Sequence, residues 1–216
     1  MRNRGRCLSA IVAILALGLQ AEARAGVWEG GVKTGLNLAS FRGDYPELVG
    51  TKAKLGFVGG GYVAYRLGPA VALQTELLYS MKGTKVSSEW IDQTGNPTGT
   101  IESFWILDYL EVPLLVRVSF AQESMVRPEL IVGPALGFKL RARFEFGAPG
   151  TGSSDLHDVR PVDVGATLGA GASIGRGPFR LLLEARYTTG FSDLYDISGN
   201  YESINQAFAF MVGISR

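Results

Sequence analysis

The only histidine of the chain, His157, is the first candidate for chemistry. It lies in a glycine-rich stretch with Ser153, Ser154, Asp155 and Asp158, residue types that occur in nucleophilic catalysis and in cation sites. Nucleophilic catalysis requires a rigid frame that holds nucleophile, base and orienting acid together, and a loop of this composition provides none. The spacing also matches no established metal-binding loop. We therefore predict no catalytic residue, no metal site and no cofactor.

A second set of chemically active residues is charged and alternates with apolar residues. Between Leu110 and Phe120 every second residue is apolar, whereas the intervening positions include Glu111 and Arg117. A period of two indicates a β-strand with two different faces. Buried charges need partners, so we expect the charged faces to form ion pairs, with Arg127 among the partners. The predicted polar cluster consists of Arg66, Glu76, Glu111, Arg117, Glu129, Asp163, Arg180, Glu184 and Arg186.

The same alternation recurs along the chain and predicts eight strands, with residues 31–41, 54–67, 70–82, 103–120, 126–144, 162–174, 179–189 and 204–216. Short turns such as Gly68-Pro69 alternate with long polar connections, which is typical of an antiparallel meander. We interpret residues 83–102 as a loop or hairpin tip. The fourth strand fits one alternation poorly near Asp108 and Tyr109, which suggests a β-bulge there.

Residues 1–25 have the pattern of a cleavable signal peptide, with arginines, an apolar run and a small-residue cleavage site. The apolar run, Leu8 to Leu19, is too short to cross a bilayer as a helix, which needs about 20 residues. We predict that residues 26–216 form one domain. Cys7 is the only cysteine, so we expect no disulfide after processing. A formal net charge of +1 argues against a nucleic-acid partner.

The apolar strand faces have two open orientations, toward a shared core or toward lipid. Strands of about 9 to 11 residues are long enough to cross a bilayer when tilted, and alternating long and short connections are typical of outer-membrane barrels. Glycines such as Gly60 and Gly133 lie on the polar face. Small residues suit the concave side of a narrow barrel. The sequence therefore favours an all-β fold, an eight-stranded antiparallel up-and-down transmembrane β-barrel.

Four segments carry a resemblance to a known family. The segments Tyr109–Leu115, Gly133-Pro134, Glu184–Tyr187 and Asn205–Ile214 are similar to the outer-membrane β-barrel domain family often labelled "porin family protein". The resemblance covers nearly all of the predicted mature chain. It implies a small eight-stranded barrel in the outer membrane of a Gram-negative-type bacterium, but no particular activity.

The last predicted strand, residues 204–216, carries a further expectation from this resemblance. Outer-membrane barrels usually end in an aromatic residue that the insertion machinery reads, whereas Arg216 occupies that position here. We expect residues 204–216 to contact the barrel-insertion machinery. The other expected partner is outer-membrane lipid, and the sequence identifies no partner for the loops.

An eight-stranded barrel leaves an interior just wide enough for side chains to fill it. We therefore predict a non-enzymatic protein with a structural or surface-interaction role through its long loops, because function varies most in loops on a rigid scaffold. The first alternative is a small-solute channel of the outer membrane. The second is a secreted soluble barrel that binds an apolar ligand in its interior.

Overall fold

A computed structural model describes most of the predicted mature chain. The described residues are 28–43, 51–91, 97–121, 123–146, 152–156, 159–176, 178–192 and 203–216. The predicted signal peptide, residues 1–25, and the histidine at position 157 lie outside the described residues. The described part contains no helix that is long and apolar enough to cross a membrane.

The described residues form nine β-strands, of which eight are long. The strands are β1 Trp28–Gly43, β2 Thr51–Arg66, β3 Val71–Ile91, β4 Pro97–Ser119, β5 Val126–Phe146, β6 Ser153–Asp155, β7 Val162–Ile174, β8 Arg180–Gly190 and β9 Ser203–Ser215. Each long strand pairs antiparallel with the next long strand along the chain, and β9 pairs with β1. The short β6 pairs only with the end of β5. The fold is the predicted closed eight-stranded antiparallel β-barrel.

The connections divide the barrel into two ends. We call one the turn end, where the short connections 67–70, 120–125 and 175–179 lie together with Trp28 and Arg216. We call the other the loop end, where the connections 44–50, 92–96, 147–161 and 191–202 lie. Each residue near the terminus of a strand therefore lies at one of the two openings of the barrel, the turn-end mouth or the loop-end mouth.

The barrel is much taller on one side than on the other. Strands β3, β4 and β5 have 21, 23 and 21 residues, whereas β7 and β8 have 13 and 11. Residues 87–91 of β3 pair with residues 97–102 of β4 beyond the last recorded pairs of β2 and β5. We call this two-stranded extension the raised ribbon. The sequence prediction of a hairpin tip was right, but most of residues 83–102 is strand.

The predicted β-bulge is present, but the extra residue lies on the partner strand. Asp108 pairs with Arg141 and Tyr109 with Lys139, so the additional residue is Leu140 of β5. The pairing of β4 with β5 therefore shifts by one residue, and Leu107, Asp108 and Tyr109 of β4 are all buried at this point. The sequence pattern located the irregularity and misassigned the strand that contains it.

The apolar faces of the strands point outward. Leu36, Leu168 and Phe210 are 52%, 62% and 55% exposed in the middle of their strands. Polar positions between them, such as Asn37 and Thr167, are buried in the interior. A soluble barrel with an apolar ligand inside requires the reverse orientation, so that alternative is wrong.

Candidate functional site

The middle of the barrel interior is filled by a group of ion pairs that we call the central network, formed by Lys33, Gln74, Glu76, Glu184 and Arg186. The Glu76 carboxylate accepts hydrogen bonds from Lys33 Nζ and an Arg186 Nη, each at 2.8 Å, and from Gln74 Nε2 at 2.5 Å. Glu184 lies 2.8 Å from Lys33 Nζ and 2.6 Å from the Arg186 guanidinium. The side chains of Lys33, Glu76 and Arg186 are at most 4% exposed, so these ion pairs are buried in the barrel interior.

A second charged level lies at the turn end and contacts the central network. Glu29 pairs with both Arg66 and Arg117. Arg117 also donates a hydrogen bond from Nη1 to Gln74 Oε1 at 3.1 Å. We call this level the turn-end cluster, which consists of Glu29, Arg66, Arg117, Arg127, Glu129 and Arg180.

A third charged level lies between the central network and the loop end. Lys82 pairs with Glu111, and Asp163 accepts a hydrogen bond from Ser192 Oγ at 3.0 Å. The cavity between these side chains has a volume of about 10 Å³. A space of that size holds at most about one water molecule. The side chains of Lys82, Glu111 and Asp163 therefore leave little free space between them at this level.

The loop-end mouth contains an apolar group that we call the apolar plug. Phe41, Leu107, Tyr109, Ala142 and Val159 form a buried cluster there. Partly buried Trp105 and Leu156 pack against it.

The segment after β6 supplies two of the plug residues. Its backbone is tied to β5, since the amide of Leu156 donates to the carbonyl of Ala142 at 3.0 Å and the amide of Lys139 donates to the carbonyl of Pro161 at 2.8 Å. The Lys139 ammonium also donates to the carbonyl of Val159. These bonds attach Leu156, Val159 and Pro161 to β5, so the wall of the barrel holds the plug residues of this segment.

The predicted polar residues are distributed over all three charged levels. Glu76, Glu184 and Arg186 lie in the central network, and Glu111 and Asp163 lie nearer the loop end. The remaining four, Arg66, Arg117, Glu129 and Arg180, lie in the turn-end cluster. All nine residues therefore lie in one interior, at three different levels. Glu129 accepts a hydrogen bond from Ser119 Oγ at 3.3 Å.

The direct ion pairs of the interior agree only in part with the expected partners. Arg186 pairs with two acids of the predicted set, Glu76 and Glu184. Among the described residues, the other direct pairs of predicted residues use Glu29, Lys33 or Lys82, while Glu129 attracts Arg117 without a direct ion pair. Lys33 and Lys82 lie on the polar faces of the predicted strands 31–41 and 70–82, a signal that the sequence contains, whereas Glu29 precedes the first predicted strand. Distances across a barrel depend on strand register and tilt, which the alternation within one strand does not report.

The arrangement of these groups fits a stabilising interior better than a reactive site. Each carboxylate of the central network contacts both a lysine and an arginine, so neither is a free nucleophile or base. Within the described ranges, no group of three or more His, Cys, Asp and Glu side chains is placed to hold a metal ion. What the interior can do chemically is neutralise and fix charge.

Comparisons with solved structures find small outer-membrane proteins. Neisserial surface protein A (NspA) aligns with a TM-score of 0.48 at 15% identity, over 89% of this chain and 98% of that one. Ail, the attachment invasion locus protein of Yersinia pestis, aligns with a TM-score of 0.44 at 14% identity, over 87% and 98%. OprG from Pseudomonas aeruginosa aligns with a TM-score of 0.44 at 13% identity, over 88% and 93%.

Comparison with curated proteins gives no match. The family model described as "Outer membrane protein beta-barrel domain" matches residues 20–196, which is more than half of the chain. The match includes seven of the eight long strands and all three charged levels of the interior. The chain belongs to the outer membrane protein beta-barrel domain family.

Proposed function

We propose that this protein is a closed barrel of the Gram-negative outer membrane that acts as a structural or surface-interaction protein and does not conduct solutes. The observation that carries the proposal is the double closure of its interior. The central network occupies the middle of the barrel, and the apolar plug occupies the loop-end mouth.

Opening a path through this barrel requires two unrelated changes. The ion pairs of Glu76 with Lys33 and Arg186 must separate, which leaves charges without partners in a poorly hydrated interior. The segment that carries Leu156 and Val159 must also leave the loop-end mouth. Each change is unfavourable by itself, and this supports a closed ground state over a small-solute channel.

The raised ribbon is the element that best suits a role at the cell surface. It extends beyond the shorter strands β7, β8 and β9 at the loop end, and its two strands pair with each other over residues 87–91 and 97–102. In barrels of the bacterial outer membrane the long loops face the exterior and the short turns face the periplasm. The ribbon would therefore stand above the lipid headgroups, where a partner can reach it.

We expect no enzymatic activity and two partners, outer-membrane lipid and the barrel-insertion machinery. Outer-membrane lipid would cover the outward apolar faces, and residues 204–216 would contact the insertion machinery. The outward residues Phe208, Phe210, Val212 and Ile214 of β9 alternate with buried ones, as such a segment requires.

Conductance in planar lipid bilayers tests the closed interior. We expect the purified, refolded protein to give no unitary current steps at moderate voltage, because both levels of closure must open for ions to pass. A barrel prepared in the same way from a known open porin serves as the positive control. Regular current steps that scale with the amount of inserted protein would contradict the proposal and favour the small-solute channel.

Labelling of single cysteines on intact cells tests the exposure of the ribbon. Gly99 lies in the ribbon with no other residue's atoms within 4 Å of an added Cβ, whereas Glu123 is exposed at the turn end. We expect a membrane-impermeant maleimide to label the Gly99→Cys variant on whole cells. The matched Glu123→Cys variant should react only after the outer membrane is permeabilised. The reverse pattern would contradict the proposed orientation.

A further inference from the structure

The turn-end cluster contains more positive than negative charge. It has four arginines, Arg66, Arg117, Arg127 and Arg180, and two acids. All of them lie within three residues of a strand terminus at the turn end. By contrast, the central network has two basic and two acidic side chains and is balanced. The uncompensated charge is therefore a local property of one mouth of the barrel.

The two acids of this cluster carry two charges fewer than its four arginines. One oxygen of Glu29 contacts Arg66 and the other contacts Arg117. Glu129 accepts a hydrogen bond from Ser119 Oγ at 3.3 Å, and its charge attracts Arg117 and Arg127 without a direct ion pair.

Arg127 and Arg180 lack an acidic partner within 4.0 Å among the described residues. The charges that act on Arg127 are those of Arg180 and Arg66, which repel it, and those of Glu29 and Glu129, which attract it. The Nε of Arg127 is also buried without a hydrogen-bond partner. Two guanidinium groups with unused donors therefore face the same mouth.

We propose that the turn-end mouth is a binding site for a phosphate group, held by Arg127 and Arg180. Guanidinium groups match the oxygens of phosphate with paired N–H donors, and such charge-assisted bonds are among the stronger hydrogen bonds in proteins. A phosphate monoester carries a charge of about −1.5 to −2 at neutral pH. This matches the excess of two positive charges, whereas a single carboxylate would neutralise only half of it.

The turn end of an outer-membrane barrel faces the periplasm, so the phosphate must come from that side. Two sources have the required chemistry. One is a free phosphate or soluble phosphate monoester in the periplasm, and the other is the phosphate-monoester headgroup of phosphatidic acid in the inner leaflet. The site itself is the same in both cases, and the source is a question for experiment.

Calorimetric titration of the refolded protein in zwitterionic micelles tests the soluble source, with pyrophosphate as the probe and ionic strength held constant by chloride. We expect saturable binding by the wild-type protein. Arg127→Gln and Arg180→Gln should each weaken it by about tenfold or more, the effect of losing one charge-assisted contact. Arg141→Gln at the loop end is the matched control and should bind as the wild type does.

Measuring the free energy of unfolding with and without phosphate distinguishes loss of binding from loss of folding in the Arg127→Gln variant. Without phosphate, Arg127→Gln should unfold no more easily than the wild type, because the substitution removes repulsion. With pyrophosphate, the wild type should become more stable and the variant should not. A purely structural role for Arg127 would instead make the variant less stable under both conditions, and that result would overturn the proposal.

The lipid source is tested by adding phosphatidic acid, whose headgroup is a phosphate monoester, to the micelles or vesicles. If the lipid stabilises the wild type but not Arg127→Gln, and pyrophosphate has no such effect, the bound phosphate is that of a headgroup. If pyrophosphate alone gives the difference, the ligand is soluble. The absence of any Arg127-dependent effect with both probes would overturn the proposal.

Discussion

Replacement of Glu76 by glutamine is expected to destabilise the barrel by about 3–5 kcal/mol, the usual cost of removing one member of a buried charge pair. The carboxylate neutralises both Lys33 and Arg186, and its side chain is 0% exposed. After the substitution only Glu184 remains to neutralise these two cations. Urea unfolding in lipid vesicles, followed by tryptophan fluorescence, measures the change in the free energy of unfolding.

Two further variants separate charge imbalance from other effects of the Glu76 substitution. Glu102→Gln removes an acid that pairs with Lys85 at 2.5 Å but is 46% exposed, and it should cost less than about 1 kcal/mol. The double variant Glu76→Gln/Lys33→Met restores the balance of the central network and should recover part of the loss. Equal effects at Glu76 and Glu102 would show that the central network does not stabilise the barrel.

The fold was predictable from the sequence because each strand repeats one simple pattern. In β7, for example, Val164 and Leu168 alternate with Gly165 and Thr167, and the first pair is exposed while the second is buried. A period of two determines which residues share a face, and the sequence of short and long connections determines which strands are neighbours. The shared faces and the neighbouring strands can both be predicted without knowing any distance across the barrel.

The ion pairs were much less predictable, for a geometric reason. Lys33 on β1 contacts Glu76 on β3 and Glu184 on β8, which are 43 and 151 positions away in the chain. These contacts depend on the register of every intervening strand, and a single bulge such as the one at Leu140 changes that register. Alternation predicts that a side chain points into the barrel. It does not predict the height at which that side chain lies, and therefore not which charged side chain it contacts.

The strands of the raised ribbon were not predicted, although a hairpin tip was, because polar strands resemble loops. Residues 83–102 contain few apolar residues, so no alternation of apolar and polar positions marks a strand there. Backbone pairing alone defines this part of β3 and β4. The surface most relevant to the proposed function is thus the one on which hydrophobic patterning carries the least information.

Replacement of Gly60 by alanine is expected to destabilise the barrel by about 3 kcal/mol, in the upper part of the range for overpacked sites. A Cβ added at Gly60 would lie 2.0 Å from the carbonyl oxygen of Leu77. The obstacle is backbone of the neighbouring strand β3, so it cannot rotate away as a side chain would. The fraction of folded protein, read from the heat-dependent shift in gel migration, and the urea midpoint measure the effect.

The adjacent Gly61 provides a matched control for which we expect the opposite sign. A Cβ there meets its nearest atom, the carbonyl oxygen of Gly31, at 3.6 Å, an ordinary contact distance. Because glycine in a strand loses more conformational entropy on folding than alanine does, Gly61→Ala should stabilise the barrel by about 0.5–1 kcal/mol. The two positions lie on the same strand and receive the same change in side chain. Equal effects would therefore show that the close approach of β2 and β3 is not the reason for glycine at position 60.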